Sequence, residues 1–184
     1  MRLSVALERL AIAVASLALS IGLIALLSGY FAGKDQAGVT GTATPVGQPF
    51  RDLGHAALKP GQPRPAYDSQ PPTSGAHFPE PVHKNESRLN NDQLLQALQE
   101  GNVVIMYGGR TPPQGLKSLA ETVAAAPFTP ALAAAGQAVI LAQRTGTTGL
   151  IGLAWAHLVR VSTPSDSLLE AFAEYWLGRG APSR

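Results

Sequence analysis

The distribution of apolar residues divides the chain into an uncharged run, a polar stretch without period, and a region of alternating helix and strand patterns. Leu10 to Phe31 is 22 residues without a charge, rich in Leu, Ala and Ile. At about 1.5 Å per residue this makes roughly 33 Å of helix, enough to cross a hydrocarbon core of about 30 Å. Lipid offers no partner to backbone amides, so the run is predicted to be a transmembrane helix. A cleaved signal peptide would have a shorter apolar region and small residues at its exit, whereas Tyr30-Phe31-Ala32 is bulky there. Ala32 to Gly47 is Gly, Thr and Ala with few large side chains, and reads as a flexible tether spanning roughly 20–25 Å.

Periodic structure begins at Asn91. Asn90 or Asn91 caps a predicted helix carrying Leu94, Leu95 and Leu98, and Gly101 is placed to end it. Val103 to Tyr107 is a continuous apolar run, hence a buried strand. Leu116, Leu119, Ala120 and Val123 mark one face of a helix that Pro127 stops. Ala138 to Ala142 predicts a second strand, and Arg144 to Gly149 (RTGTTG) a hairpin turn into a third strand, Leu150 to Val161. Thr163-Pro164 then opens a last helix with Leu168, Leu169, Phe172, Tyr175 and Trp176 on its apolar face. The order implies an α+β or α/β sandwich, a small mixed sheet with helices packed on it, which resembles part of a thioredoxin-like core.

The predicted organisation is a cytoplasmic tail over 1–9, a transmembrane helix over 10–31, a linker over 32–47, a globular domain over 48–180 and a tail over 181–184. Arg2 and Arg9 precede the span while only Lys34 and Asp35 follow closely, so the positive-inside rule places the N-terminus in the cytoplasm and the domain outside. The expected location is therefore the cell membrane, in a single pass. Net charge is only +2 and no basic block exists, which gives no electrostatic footprint for nucleic acid. The absence of cysteine excludes disulfides, thiolate metal sites and thiol catalysis.

The most restricted stretch is Tyr67 to His77, YDSQPPTSGAH. Pro71-Pro72 fixes φ and removes two donors, while Thr73-Ser74-Gly75 supplies turn-forming side chains and a residue free to take positive φ. Tyr67, Pro71, Pro72, Thr73, Ser74 and Gly75 thus form a candidate binding turn, with His77 just beyond it. Together with Gly54-His55, the helix ending in Gly101 and the strand closing on Tyr107, this arm resembles a prokaryotic group of membrane-tethered proteins catalogued as domain of unknown function 3105. The likeness runs from about Phe50 to Trp176 and implies a compact extracytoplasmic domain behind one transmembrane helix, with no activity assigned. Members read His-x-Leu-Glu-His-Gly ahead of the strand, where this chain has Gln96-Ala97-Leu98-Gln99-Glu100-Gly101.

Three chemistries are compatible with these residues. A tethered binding or structural module needs no catalytic set; it would hold an anion on the amides of Ser74, Gly75 and Ala76, or meet a protein or small-ligand partner. A divalent-metal site would use His55 and His77, with Glu100 or His83 completing the set for zinc or copper. A serine-type hydrolase would use Ser74 as nucleophile with His77 or His55 as base and Asp68 to orient it. Asn85-Glu86-Ser87 matches a glycosylation sequon, a short pattern that reads as surface. Elimination favours the first, since no compact acid, base and nucleophile set is present.

Overall fold

Asn90 stands outside the first helix in extended conformation, and its side chain accepts from the Gln93 amide while the Gln93 side chain accepts from the Asn90 amide. This reciprocal capping box starts α1 (Asn91–Glu100), and Gly101, in the left-handed region, closes it. Both ends lie where the sequence places them. The computed structural model describes residues 45–182. The predicted spanning run Leu10 to Phe31 lies outside the described residues, and among those described no helix is long and apolar enough to cross a membrane.

The remaining elements are β1 (Gln48–Pro49), β2 (Val103–Tyr107), α2 (Leu116–Ala124), α3 (Pro130–Ala134), β3 (Val139–Gln143), β4 (Leu150–Ala154), β5 (His157–Val161) and α4 (Ser167–Trp176). They make a mixed α+β fold with one five-stranded sheet in the order β1-β5-β4-β2-β3. Only β2 and β3 run parallel. All five residues of β2 are buried, because helices cover both faces of the sheet. Val104, Met106, Ile151 and Leu153 pack with Leu94, Leu95 and Leu98 of α1. Ile105, Leu141, Leu150 and Val159 pack on the other face with Leu116 of α2 and Leu169 and Phe172 of α4. Each fully buried Leu of this kind contributes about 1.5–3 kcal/mol.

Two strand expectations are corrected. Arg144 to Gly149 is not a hairpin turn, because β2 lies between β3 and β4 and the loop passes over its end. The true hairpin sits inside the stretch read as one strand: Trp155-Ala156 turns between β4 and β5, which pair Ala154 with His157 and Leu150 with Val161. A two-residue turn reverses the parity of the faces, so Leu153 shares its face with Leu158, while Val159 and Val161 go to the opposite face. Ala156 takes φ 58°, a conformation that alanine rarely adopts. It is held by Phe50 donating to its carbonyl (2.8 Å) and by its own amide donating to the Thr73 carbonyl (3.0 Å).

Smaller departures follow from local chemistry. Ala125, not Pro127, ends α2, adopting the left-handed region itself. The short α3 is an additional helix, capped by Thr129 with Pro130 in its first turn. The last helix begins three residues beyond the Thr163-Pro164 pair, because Asp166 accepts from the Leu168 amide and so provides the cap. Leu168 consequently points outward, 45% exposed, although it was expected on the apolar face. The end of the predicted linker is packed rather than free: the Trp176 indole donates to the Val46 carbonyl at 2.7 Å.

Candidate functional site

Pro71, Pro72, Thr73, Ser74, Gly75 and His77 are all buried, so this part of the arm lies inside the domain, while Asp68 and Gln70 at its start are exposed. Its hydrogen bonds run to two neighbours. The Ser74 hydroxyl donates to the Arg51 carbonyl (3.0 Å) and accepts from the Leu53 amide (3.1 Å). The Gly75 amide donates to the Gly54 carbonyl (2.9 Å), and the His77 amide to the Ala56 carbonyl (3.2 Å). Thr73 receives the Ala156 amide of the β4–β5 turn. Half-buried Tyr67 donates its hydroxyl to the Ala76 carbonyl (3.1 Å), closing the bend on itself.

These bonds correct two expectations. Ser74 is fully buried and its hydroxyl is engaged with backbone on both sides, so it is not poised as a hydrolase nucleophile. The Gly75 amide is spent on Gly54 and cannot cradle an anion with its neighbours. What the proline-rich motif builds is a splint that joins residues 51–56 to the β4–β5 turn.

The far end of the arm is clamped by Asp92, in the first turn of α1. This carboxylate, 3% exposed, accepts from the Phe78 amide (3.1 Å) and is ion-paired with Arg64, whose guanidinium also lies 5.0 Å from the Phe78 ring centre. Burial pushes the Asp92 carboxyl up, but the Arg64 and Phe78 hydrogen bonds and the nearby positive charges outweigh it and hold the group below its ordinary value. A carboxyl depressed in the folded state contributes stability that is complete above its unfolded value of about 4 and is lost as pH falls through the folded one. Urea unfolding at pH 7 and pH 3 should therefore show the parent losing more stability on acidification than the Asp92→Asn variant. Equal losses would mean that the clamp carries no charge-dependent stability.

The three residues expected to hold a metal make no hydrogen bond to one another among the described residues. His77 directs Nδ1 at the Gly75 carbonyl (2.9 Å). His55 packs edge-on against Trp155 with ring centres 6.1 Å apart, and its Nδ1 is buried without a partner among the described residues. Glu100 accepts from Gln96 (2.8 Å) one turn earlier on α1. His83 is exposed. Among the described residues no group of three or more His, Cys, Asp or Glu side chains is arranged to hold a metal ion. Asn85 of the sequon is half-buried and accepts from the Leu141 amide (2.8 Å), so its side chain serves the outer edge of β3.

An open polar cleft lies elsewhere, between the start of the arm and the Arg144–Gly149 loop. It encloses about 470 Å³ and is lined by Gln70, Pro71, Arg144, Arg160, Ile151 and the threonines and glycine of the loop. Gln70 organises both cations: Arg144 Nη2 donates to its side-chain oxygen (3.2 Å) and Arg160 Nη2 to its carbonyl (2.7 Å). Pro71 is the one member of the expected binding turn that lines this cleft. The sequence signal was Arg144 followed by a Thr/Gly loop, but it is also turn chemistry and was read as such. Arg160 gave none, since it reaches the cleft only because the β4–β5 turn sets it opposite Ile151.

The sequence model of the family described as "Protein of unknown function (DUF3105)" matches residues 61–184. No curated protein and no solved structure matches the chain.

Proposed function

We propose a membrane-tethered, non-catalytic binding module for this chain, which belongs to the DUF3105 family of proteins of unknown function. The observation that carries the reading is how its polar groups are used. The Ser74 hydroxyl of the proline-rich arm is consumed in internal hydrogen bonds, whereas the open cleft presents two arginines and a hydroxyl-rich loop around Gln70. Such a cleft binds without needing a nucleophile or a base. The order of a βαβ unit, an antiparallel hairpin and a closing helix supports a thioredoxin-like core; the cysteines of that fold's usual chemistry are absent here, and a fold grants no activity by itself.

The uncharged run over 10–31 and the arginines before it support a single-pass anchor with the domain outside the cell membrane. Fractionation with an alkaline carbonate wash tests the anchor, and protease added to intact cells or spheroplasts tests the orientation. The full chain should stay in the washed membranes, and external protease should cut it near the linker. Recovery in the soluble fraction, or protection of the carboxyl-terminal half, would overturn the placement.

A further inference from the structure

We propose that the cleft between Gln70 and the Arg144–Gly149 loop is a recognition site for the phosphate group of a small phosphate ester, a proposal that rests on the binding-module reading and names its ligand class. The first argument is charge. The described ion pairs are Arg64 with Asp92 and Lys117 with Glu86, so neither Arg144 nor Arg160 has a carboxylate partner among the described residues. Each is nonetheless oriented, through one side-chain hydrogen bond to Gln70, and its other guanidinium donors have no partner among the described residues. Holding a guanidinium ready lowers the ordering cost when a ligand arrives.

The second argument is shape and composition. Thr145, Thr147 and Thr148 add hydroxyls beside the two guanidiniums, a set suited to the several terminal oxygens of a phosphate. Arg88 reaches the Thr145 hydroxyl at 3.4 Å and so brings a third cation to the rim. The loop is fixed at the carboxyl ends of β2 and β3: the Arg144 amide donates to the Tyr107 carbonyl (2.8 Å) and the Thr147 amide to the Arg144 carbonyl (3.1 Å). Gly108 permits that closure, because a Cβ there would collide with the Thr147 carbonyl. Ligands of open α/β sheets collect at this end of the strands. A cleft of about 470 Å³ exceeds the needs of a bare anion and falls in the range of small-molecule sites. Among the described residues no aromatic side chain lines it, so these offer no stacking platform for a nucleobase.

The test is isothermal titration of the full chain in a mild nonionic detergent, which is independent of whether the chain is anchored in cells. The probes are glycerol 3-phosphate and dihexanoyl phosphatidic acid. Saturable binding is expected for both, weakening as salt rises. The Arg144→Gln/Arg160→Gln double variant should bind about tenfold or more weakly with an unchanged circular dichroism spectrum. Lys59→Gln, the loss of one charge outside the cleft, should leave affinity as it was. Tighter binding of the phosphatidic acid would assign the phosphate to a lipid headgroup, and equal affinities to a soluble ester. Absence of saturable binding of either probe, or equal weakening by Lys59→Gln, would overturn the proposal and leave the membrane placement untouched.

Discussion

Replacing Asn102 by aspartate is expected to unfold the domain or to cost it about 4 kcal/mol. Asn102 is 1% exposed and joins three elements. Its Nδ2 donates to the Ala97 carbonyl (3.0 Å) in α1 and to the Ala133 carbonyl (2.8 Å) in α3, while Oδ1 accepts from the Ala138 amide (2.9 Å) just before β3. An ionised carboxylate has no donor, so one of its oxygens would face two carbonyl oxygens at hydrogen-bond distance with no water to intervene. Protonation relieves the charge but supplies one donor where two are needed. Because a domain of this size has only about 5–15 kcal/mol of total stability, the loss is a large share of it. Asn102→Ala should cost less, about 2–3 kcal/mol, since it removes the bonds without adding a repulsion. Urea unfolding followed by tryptophan fluorescence measures both. An aspartate variant within about 1 kcal/mol of the parent would mean that the three elements are not held through this side chain.

The capped parts of the fold were legible and the long-range pairings were not. Asn90, Gln93 and Gly101 act within one turn of the helix they bound, so their pattern carries the whole of the information needed. Apolar runs named β2 and β3 for the same reason. The β4–β5 hairpin was hidden because its turn is Trp155-Ala156, with no Gly, Asn or Asp at the positive-φ position. The residues that stabilise Ala156 there, Phe50 and Thr73, lie 106 and 83 positions earlier in the chain. No local rule reaches across such a distance. The same applies to the cleft, whose two arginines meet only through Gln70 in the arm. The arm itself was correctly singled out as conformationally restricted, but restriction marked it as a structural strut; the accessible chemistry stands beside it.

That distinction has a sharp consequence at Gly75. Gly75→Val is expected to destabilise the domain by about 4 kcal/mol through two additive causes, backbone strain and overpacking. Gly75 has φ 129°, in the region that side chains other than glycine rarely adopt, and a Cβ would stand 2.8 Å from the Tyr67 ring. The ring has little room to give way, because its hydroxyl is bonded to Ala76 on the same bend. Ser74→Ala, by contrast, causes no clash but strands the Leu53 amide and the Arg51 carbonyl, for about 2 kcal/mol. The two variants also separate local from global effects. If the arm splints the β4–β5 turn, Ser74→Ala should speed amide exchange at Ala156, which donates to Thr73, more than at residues in the middle of β2. Uniform acceleration across the sheet would reduce the arm to one more packed segment. A selective loss at Ala156 would establish that this motif holds the turn that carries Arg160 to the cleft.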